Sequence, residues 1–399
     1  MKNSDDKTYS AVKLFLNWLN QNGGESFDPY DLWATKWGIL ARKIFYQNRS
    51  LSLPLVAPIL FLDVFFPASR KFFTAKKRYP TADAQLILGL INLYSLYQEE
   101  VYLKKALEIA EALLQLSIPG YSGHCWGYPF DWQNNRGLWK KNTPFITATP
   151  YCFEAFLALY DATQEKKFFE IARSSAIFVF NDIKETMLSE EVASCSYSPS
   201  DSSRVINACA YRAWMLLEAF YRFGDRHFES AALRNIAFVL SRQEQDGSWL
   251  YADGNPKDAF VDHFHTCFVL KNLVKINRRL KRKDIQQTIQ AGYQYYRKNL
   301  FDDSDDPKPF ALKKDFQIMK YEMYDFAEAI TLGVLLRDDI DGAYAMARQL
   351  AEKIVSNYQL SDGHFVTRVY KKGFRNSMPY LRWPQAQMFY ALTNLLKSG

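Results

Sequence analysis

Cysteine is scarce in this chain of 399 residues: Cys125, Cys152, Cys195, Cys209 and Cys267. An odd number without CxxC spacing argues against a disulfide framework and against a structural zinc site. Reduced thiols fit a cytoplasmic protein. The phosphate-cradling GxxxxGK[ST] and GxGxxG loops are missing, as are the GxSxG elbow and the HExxH helix. Their absence sets aside ATP hydrolysis, dinucleotide redox chemistry and zinc proteolysis, and neither a cofactor nor a metal is expected. No Pro-, Gly- or Ser-rich linker breaks the chain after about residue 80. Residues 1–399 therefore read as one domain, with 1–79 supplying N-terminal helices that complete or flank it. The apolar stretch Leu51 to Phe66 carries Pro54, Pro58 and Asp63 and falls short of the roughly 20 apolar residues of a membrane-spanning helix, so it reads as a buried or partner-facing helix, with a peripheral membrane contact as the minor alternative. MKNSDDKTYSAVKLF lacks the basic-then-apolar pattern of a secretion signal, which again points to the cytoplasm. The formal charge of +7 favours anionic partners only weakly, and nucleic acid is not expected as one. Its densest run, KINRRLKRK at Lys275 to Lys283, reads as a solvated turn between helices.

Apolar and aromatic residues are plentiful instead: 48% hydrophobic, with 30 Phe, 25 Tyr and 9 Trp. The stretch HCWGYPFDW, His124 to Trp132, concentrates rings and one carboxylate where Gly123, Gly127 and Pro129 forbid a regular helix. Aromatic faces beside an acid suit a saccharide, whose C–H face packs on rings while its hydroxyls pair with polar groups. Trp126, Tyr128 and Trp132 are the expected platform, and Asp131 the expected acid.

From residue 80 the chain repeats one plan, a strongly apolar helix, a short turn and a charged helix with one apolar stripe, at a period of roughly 50 to 70 residues. The apolar helices are expected to begin near Thr81, Ala148, Val205, Asp258, Tyr321 and Leu381. Their charged partners are expected near Val101–Leu116, Lys166–Phe180, Arg226–Arg242, Ile285–Lys298 and Asp341–Tyr358. The pattern predicts an all-α fold, an (α/α)₆ toroid of helical hairpins, because helices apolar nearly all round must be covered on both sides. An open solenoid is the alternative. Tyr9–Asn20 or Asp28–Phe45 is expected to supply the missing outer helix. Closure would gather the long loops at 117–147, 187–204, 243–257, 300–320 and 359–380 at one mouth.

Polar residues recur at the starts of these apolar helices: Asp262, His263, His265 and Thr266; Tyr324 and Asp325; Asn207 and Arg212; Arg382, Gln385 and Gln387. A buried polar group without a partner costs a few kcal/mol, so such a series needs a reason. Asp262 and His265 are three apart and share a helix face, where the carboxylate can hold the imidazole tautomer. His265 and Asp262 are thus the expected general acid/base pair, with Asp131 or Asp325 as the partnering carboxylate. His263 and His265 point about 200° apart on a helix, which disfavours a metal site. RQEQDGSWLYADG (Arg242–Gly254) and NYQLSDGHFVTRVY (Asn357–Tyr370) look alike, each an Asp-Gly turn after an outer helix followed by an aromatic run. Trp249, Tyr251 and His364 from these runs join His263, Arg212, Arg382 and Gln385 as expected substrate-binding residues.

The segments CWGYPFDWQ (Cys125–Gln133), NTPFITAT (Asn142–Thr149), SYSPSD (Ser196–Asp201), QDGSWLY (Gln245–Tyr251), VDHFHT (Val261–Thr266), YD (Tyr324 and Asp325) and RWPQAQMFYAL (Arg382–Leu392) together resemble bacterial polysaccharide-biosynthesis proteins of the VpsJ type. Some of these are misleadingly labelled delta-aminolevulinic acid dehydratase. The resemblance covers about residues 80 to 399. It implies an α/α-toroid and a role in producing or modifying surface or exopolysaccharide. Asp325 is followed here by Phe326, Ala327 and Glu328, so a histidine that relatives carry at that corner is absent, and Glu328 is its candidate local substitute.

Residues and resemblance together lead to the expectation of a carbohydrate-active enzyme. Glycoside hydrolysis is placed slightly ahead of uronate lysis and sugar epimerisation, because two acids and a cleft are its minimum. The expected ligand is an oligo- or polysaccharide, acidic or lipid-linked, handled within a membrane-associated polysaccharide assembly complex. A non-catalytic glycan-binding or scaffold subunit is the alternative from another class.

Overall fold

The computed structural model describes residues 2–254, 256–312 and 318–399. Helix α1 (Lys2–Asn22) is followed by a helical hairpin, α2 (Lys36–Gln47) and α3 (Arg49–Phe65). Inner and outer helices then alternate: α4 (Pro80–Tyr97) and α5 (Glu100–Gln115), α6 (Thr149–Thr163) and α7 (Lys166–Asn181), α8 (Ile206–Phe223) and α9 (Arg226–Ser241). The series continues with α10 (His263–Leu280) and α11 (Lys283–Asn299), α12 (Met323–Leu335) and α13 (Ala343–Asn357), and ends on inner helix α14 (Ala386–Ser398). Because α14 packs on both α12 and α4, the inner helices close a ring, and α1 lies against α13 and α14 as the sixth outer helix. The fold is the expected (α/α)₆ toroid. Its inner helices are covered on both sides: every residue of α4 from Pro80 to Leu93 and of α12 from Met323 to Gly333 is buried, as an all-round apolar helix requires.

The turns after α4, α6, α8 and α10 are short because these inner helices stop on a left-handed residue. Gln98, Gln164, Gly224 and Lys281 have φ of 55°, 58°, 80° and 51°, and each donates its N–H to the carbonyl four residues back, which ends the helix and satisfies one of its last acceptors. The run Lys275–Lys283 contains one of these turns, but Lys275 itself points inward and pairs with Glu154 at 2.7 Å. Outer-to-inner connections are long and carry the antiparallel strands: β1 (Trp132–Asn134) with β2 (Gly137–Trp139), and β3 (Glu185–Met187) with β4 (Ala193–Cys195). Strand β5 (Val261–Asp262) pairs with β6 (Phe310–Leu312), and β7 (Met319–Glu322) with β8 (Arg368–Tyr370), which also pairs with β9 (Arg375–Asn376). The β5–β6 and β7–β8 pairs join successive connections and so stitch the rim.

The two look-alike segments build one device twice. Gln243 donates to the carbonyls of Gly247 and Thr288, and Gln359 donates to those of Gly363 and Ala11. Each clamp ties an Asp-Gly turn to the next outer helix, α11 in one case and α1 in the other. Gly247 and Gly363 have φ of 92° and 112°, and a Cβ on either would stand 2.4 Å from the Ala291 carbonyl oxygen or 2.3 Å from that of Leu14. Only glycine fits so close to a backbone. The ring therefore closes at α1 by the same contact that joins its repeats.

Three boundaries differ from expectation. The fourth inner helix begins at His263 rather than near Asp258, because the Asp262 carboxylate caps it by accepting the His265 N–H at 3.1 Å. The sixth begins at Ala386, after an irregular turn over Leu381–Gln385 that contains Pro384. The segment Asp28–Phe45 is not one helix. Pro29 and the Thr35 cap of α2 divide it, and α2 with α3 forms a hairpin with its own small core of Leu32, Ala41, Val56 and Ile59. Residues 255 and 313–317, in two of the expected mouth loops, lie outside the described residues.

Candidate active site

The outer-to-inner connections surround a cavity of about 880 Å³ at one end of the ring. Tyr128, Phe130 and Trp132 form one wall. Tyr128 and Phe130 stack at 5.4 Å, and Trp132 stands edge-on to Tyr128 at 6.0 Å. Opposite, Tyr324 and Trp383 lie parallel at 3.8 Å with Phe264 edge-on to both. Tyr30, Phe45 and Tyr46 come from the N-terminal connection and its hairpin. Tyr151, on the inner face of α6, meets the Tyr211 hydroxyl at 2.5 Å. Below that level the axis is filled by the ion pairs Lys271–Glu328 and Lys275–Glu154.

His265 enters this cavity between Tyr251 and Phe264, with ring centroids 4.6 and 4.2 Å away. Its Nδ1 lies 2.7 Å from Oδ2 of Asp262, which is 3% exposed, while the imidazole is 21% exposed. A carboxylate acceptor at Nδ1 selects the tautomer protonated there and leaves Nε2 as the basic nitrogen. Burial raises the phenols of Tyr151 and Tyr324 well above their ordinary value, with neighbouring Glu328 adding to the effect on both. They stay protonated and can donate. Asn207 Oδ1 and Gln387 Oε1 are buried at the cavity without a hydrogen-bond partner among the described residues. Buried carbonyl oxygens of this kind are acceptors waiting for a hydroxyl or a water. Arg382 also lines the cavity, its guanidinium held by Asp28 at 2.5 and 2.8 Å and placed 4.8 Å over the Tyr128 ring.

The structure thus brings together His265, Asp262, Tyr128, Trp132, Tyr251 and Arg382, and it places the other candidates elsewhere. Asp131 alternates with Phe130 and Trp132 along extended chain and so faces away from them; it accepts the Lys141 N–H at 2.7 Å and pairs with Lys140 at 3.6 Å. Asp325 sits one residue, about 100° of helix, past Tyr324. It is buried at the back of α12, where burial, then Glu322, Asp262 and Glu328, raises its carboxyl well above the ordinary range. Glu328, the candidate substitute for a second histidine, is engaged with Lys271. Trp126 and Trp249 are core residues, their indole N–H groups donating to the carbonyls of Leu113 and Val239 on the preceding outer helices. His263 bonds Tyr296 at 2.8 Å, and burial lowers it to about 3. Arg212 turns outward to Asn235 and Glu185. His364 is fixed between Asp362 and the Ser377 carbonyl, and Gln385 pairs both ways with the Phe365 backbone.

Reasoning from sequence missed Tyr30, Tyr46, Tyr151, Tyr197 and Asp258. Asp258 lines the cavity and is held by Asn135 at 2.8 Å and Arg136 at 2.5 Å. A usable signal existed for Tyr151, which stands in the first turn of an inner helix as His265 and Tyr324 do. None existed for Tyr30, which reaches the mouth only through ring closure.

No sequence-family profile matches the chain, and no curated protein is significantly similar to it in sequence. The VpsJ-type resemblance rests on the segments quoted above. Solved structures share the fold. A D-mannose isomerase superposes with a TM-score of 0.61 at 12% identity, over 81% of this chain and 87% of that one. The GH76 α-mannanase of Bacteroides thetaiotaomicron gives 0.60 at 11%, over 80% and 86%. The cellobiose 2-epimerase of Bacillus thermoamylovorans gives 0.62 at 11%, over 80% and 87%. At these identities the likeness establishes the α/α-toroid for this chain.

Proposed function

We propose that this protein is a carbohydrate-active enzyme that holds a saccharide in the aromatic mouth of the toroid, with His265 as the proton-transferring group and Asp262 as the residue that positions it. The observation that carries this reading is the 2.7 Å contact from Asp262 to Nδ1 of His265, made where the ring enters a cavity walled by aromatic side chains. Pyranose C–H faces pack on such walls, and the unpaired oxygens of Asn207 and Gln387 accept sugar hydroxyls. Nε2 of His265 is the base, and the protonated phenols of Tyr151 and Tyr324 are the donors nearest the cavity floor.

Among hydrolysis, elimination and epimerisation or isomerisation, this arrangement favours reactions that begin by taking a proton from a C–H bond. Hydrolysis by a carboxylate pair needs two available acids. Among the described residues lining the cavity the carboxylates are Asp258, held by Arg136, and Asp262, held by His265. The proposed setting is the cytoplasmic side of surface-polysaccharide production, on an acidic or lipid-linked glycan within a membrane-associated assembly complex; the VpsJ-type segments support it.

The test is incubation with reducing mono- and disaccharides and with uronate oligosaccharides in D₂O, followed by NMR. Deuterium uptake at a sugar carbon, lost in His265→Asn while saccharide binding persists in calorimetry, supports the reading. Release of reducing ends without deuterium uptake assigns hydrolysis instead. Saccharide binding with no turnover in the wild type assigns a glycan-binding subunit, and absence of both overturns the proposal.

A further inference from the structure

The segment that departs furthest from a soluble surface is the α2–α3 hairpin with the turn after it. Residues 32–78 hold nine Lys and Arg against one acid, Asp63, a net of +8 set against +7 for the whole chain. Asp63 is itself buried and paired with Arg70 and Arg368, so the exposed side of this segment carries positive charge only. The same side is strongly apolar. Leu51, Leu53, Phe61, Phe65, Phe66 and Phe72 are all more than half exposed, Phe72 to 77%. Large exposed apolar patches on folded proteins mark interaction surfaces. A second, distant segment joins this one: the β8–β9 turn, Lys371-Lys372-Gly373-Phe374-Arg375, sets Phe374 edge-on against Phe65 at 5.9 Å, with Lys372 and Arg375 exposed beside it.

We infer that this surface docks the protein on an anionic membrane. Phenylalanine and leucine side chains projecting from α3 and the two turns beside it, accompanied by Lys and Arg and, within residues 32–78, by no exposed acid, match what inserts at the boundary of headgroups and acyl chains while pairing with lipid phosphates. Among the described residues no helix is long and apolar enough to cross a membrane, and the contact proposed is peripheral. Pro54 and Pro58 stand on the exposed side of α3, where the carbonyls that their missing N–H groups leave open reach water or headgroups. A second copy of the chain is a poorer occupant, because its matching face would set two cationic rims against each other. The position of the patch also has a consequence. Phe45, Tyr46 and Arg49 of the same hairpin line the cavity, so docking brings the mouth to the bilayer surface. If the saccharide reading above holds, the substrate class is then a sugar attached to a lipid headgroup. The docking itself does not depend on that reading.

Co-sedimentation with vesicles tests it. The full chain should pellet with phosphatidylcholine–phosphatidylglycerol vesicles and stay in solution with phosphatidylcholine alone, and the bound fraction should fall at about 1 M salt, where screening shortens to about 3 Å. Phe61→Ser/Phe65→Ser/Phe374→Ser should weaken binding about tenfold or more. Lys76→Glu/Lys372→Glu should do so independently, leaving every Phe and Leu of the patch in place, and unchanged circular dichroism melting shows that each variant folds. Failure of the wild type to pellet with anionic vesicles overturns the inference, as does pelleting of both variants to the same extent as the wild type. So does a dimer in sedimentation velocity that the Phe variant dissociates while vesicles bind neither protein. None of these readouts uses turnover, so the docking and the saccharide reading can fail separately.

Discussion

Asp262 does two jobs that substitution can separate. Its carboxylate caps α10 by accepting the His265 N–H at 3.1 Å, and it holds the His265 ring at 2.7 Å. Asp262→Ala removes both. The lost cap costs about 1 kcal/mol, and an imidazole N–H left without its acceptor in a largely apolar wall costs about 1 kcal/mol more. The expected destabilisation is therefore about 2 kcal/mol. Asp262→Asn keeps a side-chain oxygen for the cap, since Asn is as good an N-cap as Asp, and should cost less than about 1 kcal/mol. The ring fares differently. An amide can present N–H as well as C=O and no longer dictates which imidazole nitrogen carries the proton. Both variants should therefore lose turnover on whatever saccharide the D₂O screen identifies, by about a hundredfold or more, the contribution typical of a positioned general base. Urea denaturation gives the stability and initial rates give the turnover. Nitrogen chemical shifts of His265 report the tautomer directly, without a substrate. A wild-type rate and tautomer in Asp262→Asn would reduce Asp262 to a cap and refute the dyad. Equal destabilisation by Asn and Ala would refute the cap.

His263 should show its structural role in the pH dependence of stability. Burial holds its folded value at about 3, below the ordinary 6.5, so the unfolded chain binds the extra proton between those values and stability falls as pH drops below about 6.5. At pH 5 this costs about 2 kcal/mol; His263→Asn should narrow its stability gap to the wild type by that amount between pH 7 and pH 5, and a constant gap in urea midpoints would refute the assignment. Gly363→Ala should destabilise by about 2 kcal/mol or more through its clash at the ring seam, and Gly247→Ala should do the same at the equivalent joint. Thermal melting that leaves either unchanged would refute the shared clamp.

The toroid was legible because its signal is redundant. Six apolar helices at one spacing state the ring many times over, and the glutamine clamps repeat the same contact at Gly247 and Gly363. The site was legible only where local geometry determined it. Asp262 and His265 lie three apart, so their contact follows from the helix itself. The rings of Tyr128 and Trp132 follow from a loop that cannot become a helix. What failed was helical phase. Tyr324 faces the cavity and Asp325 does not; Tyr211 faces the axis and Arg212 turns outward; His265 faces in and His263 out. In each pair a step of one or two residues decides between axis and ring backing, and a polar letter at a helix start does not say which. Trp126 and Trp249 misled for the opposite reason. They read as ligand platforms because they lie beside turns, yet each spends its indole N–H on the end of an outer helix, a use that repeats around the ring.

The phase of the inner-helix polar residues also sets the mouth apart from the rest of the axis. Ionisable groups that face the axis below it neutralise one another across the ring, Lys271 with Glu328 and Lys275 with Glu154. Two that face the ring backing are consumed in packing, Arg212 by Asn235 and Glu185, and His263 by Tyr296. At the level of the mouth Arg382 is matched by Asp28, and Asp258 by Arg136. His265 differs from all of these. Among the described residues its ring is held by Asp262 at Nδ1, which leaves Nε2 as the basic nitrogen. A partner that orients a group while leaving its reactive atom open is what separates a site from a buried ion pair, and it is on this asymmetry that the proposed function rests.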